Sequence, residues 1–258
     1  MILLALGDVV SDGGRQALMK LLPKIKRNYS VDICIANGEN SAKGNGILPD
    51  SVHDLISAGV DVITTGNHVF RRKEISEFID EHDYVIRPYN MHPLCPGKGT
   101  GIIDMGRCKV GVINLMGTAF FNANYANPFD SIDRAINEID DCKIKIVDFH
   151  AEATGEKRAL GFYVDGRVSA FFGTHTHVQT ADAHILPGGT GYITDLGMCG
   201  SEQSVLGIEP DCIIRSLKTG LPTLFKARET EISLNGCIFE IDEKNGLTKN
   251  ITAINIRE

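Results

Sequence analysis

Six apolar segments of strand length recur through the first two thirds of the chain, and they constrain its fold more than any other feature. They are MILLAL, VDICIAN from Val31, VDVITTG from Val60, KVGVINLMG from Lys109, KIKIVDFH from Lys143 and VSAFFGTH from Val168. Near-continuous runs of β-branched and aliphatic residues are typical of strands covered on both faces. Segments with helical periodicity, such as GRQALMKLLPKIKRN and PDSVHDLISAG, separate several of them. This alternation predicts an α/β layered fold.

The last third of the chain has a different pattern. AHILPGGTGYITD carries a glycine pair between extended segments and predicts a hairpin. The segment from Phe225 to Ile256 alternates apolar and polar residues around NG turns, which is typical of antiparallel strands with one face in solvent. No linker, low-complexity tract or repeat interrupts the chain. We therefore expect a single domain, residues 1–258, that contains two sheets.

Composition and charge exclude several classes of protein. The formal net charge is −7 and the basic residues are dispersed, which argues against binding to duplex nucleic acid, although a small nucleotide remains possible as a ligand. No apolar stretch is long enough to cross a membrane, and the first segment reaches Asp8 too early for a signal peptide. The seven cysteines are scattered without a CxxC pair, which is typical of reduced thiols. We expect a cytoplasmic protein.

Polar side chains of few types stand where five of the apolar segments end. They are Asp8, Glu39, Asn40, Asn67, His68, His150, His175 and His177. In open α/β sheets, ligands bind beyond the carboxyl ends of the strands, so these residues are expected to converge. Each one alone is compatible with an ordinary turn, cap or surface residue. Five strand ends that all carry side chains able to bind metal are hard to explain in that way.

The side chains at these ends suit a pair of metal ions. Imidazoles, carboxylates and amide oxygens without a thiolate favour iron, manganese or zinc. If THTH is extended, His175 and His177 point to the same side, so that each can reach one of two adjacent ions. Glu39 has two oxygens with which to bridge them. Ions about 3.5 to 4 Å apart can share a hydroxide that attacks phosphorus.

The order of GD, NGEN, GNH, a strand-final histidine and THTH resembles the calcineurin-type metallophosphoesterase superfamily. The blocks LGDVV, ANGENSAKGNGI, TTGNHVF, DFHAEAT, GTHTHVQTAD and TDLGMCG look like its YmdB-like branch, over most of the chain. The resemblance implies a four-layer α/β/β/α sandwich with a dinuclear metal centre. It also implies phosphodiesterase activity toward small nucleotides, notably 2′,3′-cyclic nucleotides.

The resemblance also implies a role for each residue. The first metal would be held by Asp8, Asn40 and His177, and the second by Asn67, His150 and His175, with Glu39 as the bridge. His68 would stay off the metals and protonate the departing oxygen as a general acid. The chain departs from the wider superfamily in two places: Val10 stands where GDxH has its histidine, and Glu39 replaces an aspartate.

Several alternatives remain open at this stage. The SAKGNG and PGKGTG loops match no phosphate-binding fingerprint and are interpreted as turns, with SAKGNG at the rim of the site. Gly197 in TDLGMCG is a candidate substrate wall. A phosphomonoesterase or nucleotidase could use the same centre, and so could a regulatory nucleotide-sensing protein. The C-terminal strands offer a surface through which a homo-oligomer could form.

Overall fold

The computed structural model describes residues 1–257, which form thirteen strands and six α-helices, with a 3₁₀ turn at Val69–Arg71. The strands are β1 (Ile2–Leu6), β2 (Asp8–Val9), β3 (Ile33–Asn37), β4 (Val62–Thr64), β5 (Thr100–Asp104), β6 (Lys109–Met116), β7 (Ile144–His150), β8 (Ala170–Thr174), β9 (His184–Ile185), β10 (Gly191–Ile193), β11 (Met198–Ser201), β12 (Ile232–Ile241) and β13 (Thr248–Arg257). The helices are α1 (Ser11–Tyr29), α2 (Pro49–Ala58), α3 (Glu74–Glu81), α4 (Pro128–Glu138), α5 (Thr154–Tyr163) and α6 (Pro210–Thr219).

The strands form two sheets that each combine parallel and antiparallel pairs. The first sheet has the order β2-β11-β12-β1-β3-β4, with β13 also paired to β12. The second has the order β5-β6-β7-β8-β10-β9. Strands β1, β3 and β4 are parallel, as are β6, β7, β8 and β10. The C-terminal pair β12 and β13 is antiparallel, as the alternating pattern predicts.

Three apolar clusters divide the molecule into four layers. The central cluster joins the facing sides of both sheets and includes Leu3, Ile146 and Phe239. A second cluster packs α1, α2 and α3 on the outer side of the first sheet. A third packs α4 and α5 on the outer side of the second sheet. The four-layer α/β/β/α fold that the family resemblance implies is therefore confirmed.

Two helices were not predicted from the sequence. Helix α5 has the sequence TGEKRALGFY, in which two glycines weaken the helical pattern. Helix α6 buries none of its residues, so its apolar side chains do not mark a core face. Among residues 1–257, no helix combines the length and the apolar character that spanning a membrane requires.

The close packing of β8 leads to a prediction about stability. A methyl group on Gly173 would lie 1.9 Å from the Thr194 carbonyl oxygen, whereas one on Gly155 in α5 would meet no atom within 4 Å. We expect Gly173→Ala to lower the free energy of unfolding by about 1–3 kcal/mol or more, because β8 has to move. Gly155→Ala is the control and should leave it unchanged or raise it by up to about 1 kcal/mol. Urea unfolding measures both, and equal midpoints would contradict the prediction.

Candidate metal centre

The predicted site residues meet where the carboxyl ends of the two sheets come together. The first sheet contributes those in or after β2, β3 and β4, namely Asp8, Glu39, Asn40, Asn67 and His68. The second sheet contributes those at or after the ends of β7 and β8, namely His150, His175 and His177. A cavity of about 350 Å³ opens above them and is lined by Glu39, Asn40, His68, His175 and His177. Asp8 and His150 lie behind it, fully buried.

One half of the site is centred on the His150 imidazole. Its Nε2 atom lies 3.0 Å from His175 Nδ1, 3.1 Å from Asn67 Oδ1 and 3.1 Å from Glu39 Oε1. Candidate ligand atoms of Glu39, His150 and His175 all lie within 4.8 Å of one another. Imidazole nitrogens, a carboxylate oxygen and an amide oxygen that point at one place form a suitable set for a borderline divalent ion.

The other half is centred on Asp8, which is fully buried. Asp8 Oδ2 accepts a hydrogen bond of 3.0 Å from the His175 backbone N–H, but Asp8 Oδ1 has no hydrogen-bond partner. Burial raises the pKa of Asp8, in spite of the nearby His177 and His150 imidazoles. His177 Nε2 lies 3.7 Å from this free oxygen. A buried oxygen without a partner is costly, so a cation between Asp8 and His177 fits the site.

The Asn40 amide lies between the His177 and His68 imidazoles at the edge of the cavity. As placed, its nitrogen lies 3.1 Å from Glu39 Oε1 and 3.4 Å from His177 Nε2, and its oxygen lies 2.9 Å from His68 Nδ1. The oxygen therefore faces away from His177. A rotation of the amide by half a turn exchanges the two atoms with almost no change in shape and would direct the oxygen to His177.

The charges of the site indicate that its buried carboxylates require a positive partner. Burial would raise the pKa of Glu39, but His150 and His68 hold that pKa well below its usual value. Burial likewise disfavours a charged imidazole, yet the Glu39 and Asp8 carboxylates raise the pKa of His150 to about 9. Burial and the charge of His150 lower the pKa of His175 to about 3. Among the protein's own groups, one imidazole thus carries the charge and its neighbour is neutral.

The THTH segment is not extended, so that expectation was wrong. Strand β8 ends at Thr174, and the backbone turns at His175 (φ 103°) and again at His177 (φ 64°). A buried ion pair holds this turn: Lys157 Nζ donates to Asp195 Oδ2 (2.6 Å) and to the Thr174 carbonyl (2.9 Å), and Asp195 Oδ2 also accepts from Thr176 N–H (3.1 Å). The turn directs the two imidazoles to different halves of the site.

His68 lies at the cavity wall beside Glu39 and Asn40. Its backbone N–H donates to Glu39 Oε2 at 2.8 Å, so this contact does not depend on the imidazole. Its Nδ1 atom faces Asn40 Oδ1, as described above, and about a quarter of the side chain is exposed (24%). The ring is thus held through one nitrogen at the edge of a cavity that a ligand can enter.

A buried hydroxyl orients His150, and the sequence analysis did not identify it. Thr174 Oγ1 donates to Asp148 Oδ1 at 2.7 Å and lies 2.9 Å from His150 Nδ1. The hydroxyl can therefore accept from the Nδ1–H group, which leaves Nε2 as the nitrogen that faces Glu39 and His175 and that could bind a metal ion after losing its proton. Burial raises the pKa of Asp148 to about 6. One sequence signal could have pointed to this arrangement: the alternation in VDFH places Asp148 and His150 on the same side of β7, so a polar residue beside His150 could have been expected.

The glycine loops take different positions around the site. Gly44 and Asn45 of SAKGNG line the cavity, as expected of a rim. Gly197 is buried and its carbonyl accepts from the Asp8 N–H at 3.1 Å. It lies behind Asp8 and is not among the residues that line the cavity.

Two sheets between helical layers, with carboxylate, amide and imidazole side chains gathered at the strand ends, define a protein of the metallophosphoesterase type. The NAD nucleotidase of Haemophilus influenzae shares this fold at 10% identity, with a TM-score of 0.58 over 100% of this chain and 56% of that one. The chain belongs to the YmdB-like protein family, whose model matches residues 4–254.

Two relatives resemble the chain over its whole length. The 2′,3′-cyclic-nucleotide 2′-phosphodiesterase of Bacillus subtilis (strain 168) is 43% identical over 100% of this chain and 98% of the relative. The crystal structure of a hypothetical protein from Thermus thermophilus has a TM-score of 0.94 and 38% identity, over 100% of both chains.

The contact between Thr174 and His150 leads to a prediction about metal affinity. We expect Thr174→Val to weaken metal binding by about 10- to 100-fold, because His150 Nδ1 loses the hydroxyl that orients the ring, whereas Thr174→Ser keeps it. Titration with Mn²⁺ or Zn²⁺ against a competing chelator measures the difference.

The control for this prediction is Thr64→Val, since the Thr64 hydroxyl also donates to Asp148 but does not contact His150. This variant removes a similar hydrogen bond from the same carboxylate and should bind metal nearly as the unaltered protein does. Equal losses of metal affinity in Thr174→Val and Thr64→Val would contradict the prediction, because the effect would then come from the hydrogen bonds to Asp148 and not from the contact with His150.

Proposed function

We propose that this protein is a dinuclear-metal phosphodiesterase that hydrolyses small cyclic nucleotides of the 2′,3′-cyclic AMP type. The observation that carries this proposal is the convergence of Glu39, Asn67, His150 and His175 on one point, beside the unpartnered Asp8 oxygen. The name of the Bacillus subtilis relative supports the choice of substrate. Because the site draws on both sheets, we also propose that residues 1–258 act as one domain.

The residues around the cavity support a requirement for metal. Among the described residues that line it there is no lysine or arginine, while Glu39 and Glu152 add negative charge. A phosphate group cannot enter such a cavity favourably unless cations neutralise it. We propose that Asp8, Asn40 and His177 hold one ion, that Asn67, His150 and His175 hold a second, and that Glu39 bridges them. Iron is the metal we favour, with manganese or zinc as alternatives.

In this proposal, the metal ions supply an activated water near neutral pH and positive charge against the phosphoryl oxygens. The protein contributes the position of the phosphate and a proton for the leaving group. His68 is the proposed general acid, since its imidazole lies at the cavity wall and is held through Nδ1 by Asn40. The opposite nitrogen, Nε2, is then the atom that donates the proton to the departing ribose oxygen.

A substrate panel combined with elemental analysis tests the proposed function. Protein purified without added metal is analysed for iron, manganese and zinc, and the same preparation is assayed on 2′,3′-cyclic AMP, 3′,5′-cyclic AMP, p-nitrophenyl phosphate and its bis ester. We expect bound metal and the highest kcat/KM on 2′,3′-cyclic AMP. A preference for p-nitrophenyl phosphate would support a phosphomonoesterase, and metal without turnover of any substrate would support a sensor.

The proposed role of His68 gives a separate prediction. His68→Ala should keep nearly all of its metal, because Glu39 is held by the backbone N–H of residue 68, but should lose on the order of 10²- to 10⁴-fold in kcat. Glu39→Gln should lose metal and turnover together. His53→Ala, which removes an exposed imidazole on α2, is the control. Metal content and rate are measured on the same samples, and full activity in His68→Ala would remove it from the mechanism.

A further inference from the structure

The loop between β6 and α4 carries three aromatic residues next to the candidate metal centre. We name residues 117–127 the aromatic loop; its rings are Phe120, Phe121 and Tyr125. The Phe121 ring lies 5.0 Å from the His175 imidazole, tilted by 59°, and 6.2 Å from the Tyr125 ring. The aromatic surface therefore begins at a proposed metal ligand and extends outward from it.

Phe120 has an unusual backbone and an unusual environment. Its φ angle is 67°, in the left-handed region that bulky side chains rarely adopt, and 87% of the residue is exposed. Strained backbone of this kind persists only where surrounding contacts hold it, and it is concentrated at functional sites. The Phe121 N–H donates to the Thr118 carbonyl at 3.3 Å, and this turn holds Phe120 in the left-handed conformation with its ring exposed to solvent.

The start of the aromatic loop is fixed by one carboxylate. Glu156, in the first turn of α5, accepts hydrogen bonds from Thr118 N–H at 2.8 Å, from the Thr118 hydroxyl at 2.9 Å and from Ala119 N–H at 3.3 Å. These contacts end directly before Phe120. The rings that follow are thus presented from a fixed base, which reduces the entropy lost when a flat ligand stacks on them.

We propose that the aromatic loop is the nucleobase subsite of the phosphodiesterase, with the base stacked on Phe121 and covered at its outer side by Phe120. This inference rests on the proposed function and specifies its substrates as nucleoside cyclic phosphates, in preference to phosphodiesters without a base. Stacking on an aromatic face accepts every base, because each one has a π-face. The subsite therefore distinguishes nucleotides from other diesters but discriminates weakly among the bases.

The test compares two cyclic phosphates that share the same five-membered ring. One is 2′,3′-cyclic AMP, and the other is glycerol 1,2-cyclic phosphate, which has no base. We expect Phe121→Leu to lower kcat/KM for 2′,3′-cyclic AMP by roughly 5- to 150-fold, mainly through KM, and to have a much smaller effect on the glycerol compound. Phe120→Leu should also lower kcat/KM for 2′,3′-cyclic AMP. Phe121→Tyr should keep most of that kcat/KM, because it keeps an aromatic face.

The control is Phe162→Leu, which replaces a phenylalanine that is 51% exposed at the far end of α5. It should change neither substrate's kcat/KM. Equal losses on both substrates in Phe121→Leu would overturn the proposal, since they would mean that the ring only supports His175. Unchanged kinetics in both leucine variants would overturn it as well.

A binding measurement separates this inference from the proposed function. Titration of the metal-loaded protein with 3′-AMP and with inorganic phosphate needs no turnover. Weaker binding of 3′-AMP but not of phosphate in Phe121→Leu would support the base subsite even if no cyclic nucleotide is hydrolysed. Equal binding of 3′-AMP by the variant and the unaltered protein would reject the subsite, whatever the enzyme hydrolyses.

Discussion

The burial of two carboxylates side by side is the constraint on which the rest of the site depends. Asp8 and Glu39 are both almost fully buried, and each receives one backbone N–H, from His175 and His68. Within residues 1–257, their ion-pair partners are imidazoles, and no lysine or arginine reaches them. Buried charge is tolerated only when it is paired or coordinates a metal. The site therefore holds negative charge that cations can neutralise, and among the described residues no lysine or arginine lines its cavity.

Each imidazole is fixed by a different kind of partner. His150 faces the Thr174 hydroxyl, His177 Nδ1 donates to the Leu206 carbonyl at 3.2 Å, and His175 Nε2 lies 3.2 Å from the Glu152 carboxylate. Such partners select the tautomer and set the basicity of a metal-binding histidine. Of these three partners, only the carboxylate beside His175 carries a charge. The three imidazoles are therefore expected to differ in donor strength although they are chemically identical.

The sequence allowed prediction of the main strands, of several helices and of the residues that gather, but not of how these residues are held. The strands are marked by apolar runs, and polar residues at their ends follow a general rule for α/β sheets, so both could be inferred locally. The turn at His175 and His177 could not, because it depends on the ion pair of Lys157 and Asp195, which are 38 residues apart. Glu152, Thr174 and the aromatic loop were missed for the same reason. Their roles come from neighbours that only the folded chain brings together.

The side chain at position 10, where the wider superfamily pattern would place a histidine, contributes to the site through packing. Val10 packs against the turn that contains Leu206 and Gly207: a methyl group on Gly207, where φ is 95°, would lie 2.6 Å from Val10 Cγ1. The Leu206 carbonyl of this turn is the group that orients His177. Val10 therefore supplies packing for the turn whose Leu206 carbonyl orients the His177 imidazole. The packing of Val10 and the orientation of His177 are therefore coupled through this turn, beside the half of the site that is centred on Asp8.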